Sequence, residues 1–156
     1  MESFFRTHAY LVEHLKAPVR RDLMDEINWK DRMIGIKGPR GVGKTTLMLQ
    51  YIKSHYKSMS REVLFVSLDM VYFATHSLVE LAETFYKNGG RHLFVDEVHK
   101  YPNWSQEVKE IYDFFPDMRV VISGSSLLNI LGGNADLSRR CVPYDMQGLS
   151  FREFLK

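Results

Sequence analysis

The chain has 156 residues, 45% hydrophobic and 26% charged, which is enough for one domain with a real core and too little for two of comfortable size. A net charge of +2 gives no electrostatic case for a nucleic-acid partner, although a local basic patch stays open. With Cys141 as the single cysteine no intrachain disulfide can form, and that residue reads as a small packing side chain.

The opening Met-Glu-Ser-Phe-Phe-Arg lacks the basic-then-apolar layout of a secretory signal. No stretch approaches the ~18 apolar residues of a membrane span, so a cytoplasmic protein without a membrane span is expected. Residues 1–17 are mixed aromatic and polar. After Pro18, Val19, Leu23, Met24 and Ile27 recur at helical spacing, predicting an amphipathic helix with Pro18 in its first turn. This makes residues 1–30 an N-terminal helical segment laid on a core of residues 31–148. Arg20 and Arg21 could touch a nucleotide or nucleic acid, with a solvated face as the favoured reading.

Met33 to Lys37 predict the first strand. Gly38-Pro39-Arg40-Gly41-Val42-Gly43-Lys44-Thr45 follows, with the Gly-x4-Gly-Lys-Thr spacing of a phosphate-binding loop, and Thr46 continues it. Glycines let the backbone wrap a phosphate chain, and successive N–H groups plus a helix N-terminus supply positive potential where no side chain fits. Lys44 would reach the β- and γ-phosphates and the Thr45 hydroxyl would ligate Mg²⁺. Arg40 either braces the cradle or faces solvent.

Leu47, Met48, Tyr51, Ile52 and His55 then mark a helix, and Glu62 to Asp69 a second, near-continuously apolar strand. Ser77 and Glu80 have capping-box spacing ahead of a helix carrying Leu78, Leu81, Ala82, Phe85 and Tyr86, which stops at Asn88-Gly89-Gly90. His92 to Glu97 predict a third strand. Trp104, Val108, Ile111, Tyr112 and Phe115 predict a helix ended by Pro116. Arg119 to Ser123 form a fourth strand, leading to a short helix from Leu127 to Leu131 and a turn at Gly132-Gly133-Asn134. Arg140 to Met146 form a fifth strand, placed at a sheet edge by Pro143. Ser150 and Glu153 again have capping-box spacing, so residues 149–156 read as the start of a truncated helix and the chain as the front of a longer protein.

Alternating strands and helices predict an α/β fold, a parallel sheet with helices on both faces. Ligands of such sheets sit at the carboxyl ends of the strands, the edge on which the loop at 38–45 falls. Asp96-Glu97 ends the third strand at that edge. Asp96 is placed to hold hydrated Mg²⁺ and Glu97 to polarise an attacking water. Ser123, with Ser125 as second choice, is a candidate sensor of the γ-phosphate, capping of the next helix being the plain alternative. His99 is either a partner of Glu97 or an ordinary surface histidine. Arg139 and Arg140, in an assembled ring or dimer, are candidates to enter a neighbour's site and neutralise transition-state charge. A surface pair is the alternative.

With these residues placed, the chain resembles the AAA-like P-loop ATPases of bacteria and archaea, in the class with an additional strand and a catalytic glutamate. The resemblance runs from about Arg20 to Lys156. It is carried by Gly38 to Thr46, Leu93-Phe-Val-Asp-Glu-Val-His99, Ile122-Ser-Gly-Ser-Ser126 and Leu149-Ser-Phe-Arg-Glu-Phe-Leu155. It implies a three-layer α/β/α P-loop NTPase sandwich, a five-stranded parallel sheet of order 5-1-4-3-2, and Mg-ATP as ligand. It also implies a lid and a carboxyl-terminal domain beyond the present residues. The expected function is Mg-dependent ATP binding and hydrolysis as the ATPase module of a larger protein. A nucleotide-dependent regulatory switch and a small-molecule kinase are the alternatives. A GTPase is disfavoured because Asn28-Trp29-Lys30-Asp31 has the wrong order for a guanine box and precedes the loop.

Overall fold

Short apolar runs rich in β-branched and aromatic residues build the sheet. The computed structural model describes residues 1–16, 19–125, 137, 139–148 and 153. Among them five strands occur: β1 (Met33–Lys37), β2 (Val63–Ser67), β3 (His92–Asp96), β4 (Arg119–Gly124) and β5 (Val142–Asp145). They lie in the order β2-β3-β4-β1-β5 with every pairing parallel, which is the predicted order read from the other edge. All five residues of β3 are buried, as an inner parallel strand requires. β5, carrying Pro143, is largely exposed at the edge.

Strand alternation sorts the apolar residues into two cores. Leu64, Val66, Leu93, Val95, Val120 and Ile122 face one layer, built from α4 (Leu78–Lys87) and α5 (Trp104–Phe114). Val63, Phe65, Phe94, Val121, Ile34 and Ile36 face the other, where α3 (Lys44–His55) packs with the short α2 (Leu23–Glu26). This is the three-layer sandwich. Ser77 caps α4 by accepting the Glu80 N–H at 3.1 Å. Cys141 is buried in the first core, and burial pushes its thiol up to about 12.

The N-terminal region departs from expectation. Within the helical segment of residues 1–30 the long helix is α1 (Glu2–Glu13), earlier than the expected position after Pro18, where α2 is one turn long. α1 packs against β2 and α3. Its buried His8 accepts the Phe65 N–H at Nδ1, 2.9 Å away, so an edge strand that would otherwise expose pairing groups is covered. Arg20 is a surface residue paired with Asp25 at 2.5 Å. Arg21 is not on the solvated face that spacing suggested: it is held by three acceptors described below. Ala17 and Pro18, the expected helix at 127–131, the turn at 132–134 and the helix start at 149–156, apart from Glu153, lie outside the described residues.

Candidate functional site

The parallel sheet sets the carboxyl ends of β1, β3 and β4 side by side, with Lys37 opposite Gly124 and Asp145. The loop from Gly38 to Gly43 leaves β1 there. Met146 donates its N–H to the Lys37 carbonyl at 2.7 Å, which holds the chain after β5 against the loop. A Cβ on Gly38 would stand 2.2 Å from the Met146 carbonyl oxygen, so only glycine fits. Gly43 has φ 102° and opens α3, a left-handed conformation that glycine alone adopts without strain. Among the described residues no side chain caps α3 and no acid lies in its first turn, so its first N–H groups and positive dipole end face the loop.

Lys44 is 6% exposed. Its Nζ donates to the carbonyls of Gly38 at 2.6 Å and Pro39 at 2.9 Å. Burial lowers its pKa from the usual lysine range, opposed by the charges of Glu97 and Asp96. Both carboxylates therefore lie within electrostatic reach of the loop lysine.

Asp96 is the meeting point of three elements. Its Oδ2 accepts the Thr45 hydroxyl at 2.5 Å, and its Oδ1 accepts the Ser123 hydroxyl and the Glu97 N–H, the latter at 3.1 Å. Glu97 has φ 58° and ψ 41° and is, among the described residues, the one non-glycine residue with positive φ. That conformation costs roughly 1–2 kcal/mol and breaks the strand alternation that would otherwise send Asp96 and Glu97 to opposite faces. The Glu97 carboxylate lies 3.2 Å from His99 Nε2, and the Ser125 N–H donates to His99 Nδ1 at 3.3 Å.

Residues 30–155 match the family model described as AAA domain. The chain belongs to the AAA domain family. No curated protein is similar enough to count as a relative. Among solved structures, the PCH-2 protein of C. elegans superposes with a TM-score of 0.55 at 15% identity, over 93% of this chain and 41% of that one. Katanin, solved in the context of its self-assembly, gives 0.52 at 12% identity, over 90% of this chain and 46% of that one. At such identities these likenesses concern the fold, and the chain spans less than half the length of either.

In this AAA domain the structure brings Gly38 to Thr45, Asp96, Glu97 and Ser123 to one strand edge. Arg40 is exposed in the loop, and Thr46 is half-buried in α3. Arg139 and Arg140 are not part of this group. They precede β5, whose first residue pairs near the start of β1, so they sit at the opposite edge of the sheet. Arg140 there pairs with Asp113 at 3.2 Å and lies over the Tyr112 ring.

Arg21, which spacing favours as a solvated residue, instead donates from its Nη1 to the Val42 carbonyl inside the loop at 2.6 Å. The donor set around Asp96 fits magnesium: a hydroxyl and a carboxylate at hydrogen-bond distance, oxygen only. Magnesium is commonly held by one or two carboxylates, with water and phosphate completing its octahedron.

Proposed function

We propose that this AAA domain binds Mg-ATP in the cradle of residues 38–45 and hydrolyses it, as the ATPase module of a larger protein. The observation that carries the reading is the Thr45–Asp96 hydrogen bond of 2.5 Å, which joins the phosphate loop to an acidic strand end distant in sequence. The loop N–H groups and Lys44 bind the phosphate chain and neutralise charge growing on it. Thr45 and Asp96 would hold the metal. When bound, Mg²⁺ supplies charge neutralisation at the β- and γ-oxygens.

Glu97 takes a proton from the attacking water, a role that requires its carboxylate within reach of the cleft rather than across the sheet. Ser123 keeps Asp96 in place through its hydroxyl. An arginine finger from Arg139 or Arg140 requires a neighbouring copy, since both lie at the edge away from their own loop. The kinase reading loses its support for the same reason: those arginines were its only candidates for a lid.

The switch reading, with nucleotide occupancy as the output and little turnover, is favoured by one observation. His99 stands 3.2 Å from Glu97 and would hold the base away from water. Glu97→Gln separates the two readings when ATP binding and phosphate release are measured on the same preparation. Hydrolysis predicts unchanged binding and a release rate lower by roughly 10² to 10⁴. Release at the wild-type rate contradicts Glu97 as the base, and a wild-type protein that binds ATP without releasing phosphate favours the switch.

A further inference from the structure

Arg21 ties together three stretches of chain. Besides the Val42 carbonyl, it donates from Nε to Glu153 Oε2 at 3.0 Å and from Nη2 to the Gln147 carbonyl. The Asp22 N–H donates to the same Glu153 oxygen at 2.8 Å. The Arg21 and Glu153 side chains are 13% and 9% exposed. The cluster lies against the loop, since a Cβ on Gly43 would be in van der Waals contact with Arg21 Nη1 at 3.5 Å.

Peptide geometry gives this arrangement a consequence. The Val42 carbonyl and the Gly43 N–H belong to one planar trans peptide and point in opposite directions. An arginine that holds the Val42 carbonyl therefore also fixes the direction of the Gly43 N–H. Glu153 in turn fixes the guanidinium, and a buried ion pair that loses one member leaves an uncompensated charge.

We infer that Arg21 is a positioning residue for the phosphate loop and that Glu153, beyond β5, sets its position, so that nucleotide occupancy and the Arg21–Glu153 pair are energetically coupled. The inference rests on the reading of residues 38–45 as an ATP cradle. Coupling of this kind is reciprocal: a change at Glu153, remote from the phosphates, alters ATP affinity, and ATP alters the protection of the Glu153 amide.

The test titrates Mg-ATP into the full chain and into Glu153→Gln, Arg21→Gln, the double variant and Arg21→Lys. Glu2→Gln, which breaks the exposed Arg61 pair, is the control. Hydrogen exchange around Val42 and Glu153 is followed with and without nucleotide. Glu153→Gln weakens ATP binding about fivefold or more, within the usual range of coupling between sites, while the folded fraction and the control's affinity stay unchanged. The double variant binds no worse than Arg21→Gln alone, and the exchange protection that ATP confers at Glu153 in the wild type is lost in Arg21→Gln.

Arg21→Lys keeps the charge but cannot span three acceptors, so it weakens binding as well. A folded Glu153→Gln that binds ATP as the wild type does, or losses that simply add in the double variant, overturns the coupling. Should Glu153→Gln not fold, undiminished affinity in Arg21→Lys overturns it instead. A wild-type chain that fails to bind ATP overturns the cradle reading and this inference together, so the two failures are told apart in the wild-type titration.

Discussion

Asp96 accepts hydrogen bonds from Thr45, Ser123 and Glu97, more than the last residue of a strand needs for folding. The Ser123 hydroxyl bonds the same oxygen as the Glu97 N–H, so it restrains the carboxylate beside Glu97. Ser123→Ala is expected to leave ATP affinity within about threefold and to slow phosphate release by about tenfold, the weight of one hydrogen bond to a charged group. Equal release rates at saturating ATP would remove Ser123 from the mechanism. At this scale the loop and the Asp96-Glu97 pair were legible because their spacing is local and chemically constrained. The left-handed turn at Glu97 was not, because sequence sees two adjacent carboxylates and not the conformation that reconciles them with strand alternation. Nor was Arg21, whose partners Val42, Gln147 and Glu153 come from remote parts of the chain.

Among the elements, α4 was the most legible, since Ser77 and an apolar stripe from Leu78 to Phe85 announce both its start and its buried face. Ser77→Ala removes the acceptor of the Glu80 N–H and is expected to cost about 1 kcal/mol, read as a lower urea midpoint with an unchanged slope. α1 escaped notice although its buried residues Phe4, His8 and Val12 fall on one helical face, because the middle position is a histidine. That histidine and His92 in β3 give the fold an acid sensitivity.

Burial lowers His8 to about 4, and burial, with the Arg119 and His55 charges, lowers His92 to about 3. Both are then neutral in the folded state and protonated when unfolded below pH 6.5. The unfolded chain takes up more protons there, so stability falls as pH drops from 6.5, and each contribution levels off only near its folded value. By pH 5 the loss is on the order of 1–2 kcal/mol for each histidine. Urea unfolding at pH 7 and pH 5 checks this, and equal midpoints would contradict the burial of both rings.

At the scale of the whole molecule, the strand order β2-β3-β4-β1-β5 places the loop of β1 beside the ends of β4 and β3, so the two halves of the site meet only because β1 lies inside the sheet. The order followed from the family resemblance rather than from periodicity, which predicts strands without saying which are neighbours. Among the described residues no helix is long and apolar enough to cross a membrane. A ligand bound to the native state stabilises by about 2.7 kcal/mol at a hundredfold excess over its dissociation constant. In a chain of this size that raises the melting temperature by roughly 5–10 °C. Mg-ATP is expected to do so, and ATP with a chelator to do so less if, as proposed, Thr45 and Asp96 hold the metal.

The most direct measurement is equilibrium binding of Mg-ATP to the wild-type chain and to Lys44→Ala. Saturable binding by the first and none detectable by the second, with the variant still folded, is the expected result. Equal affinity in the two would contradict the cradle at residues 38–45.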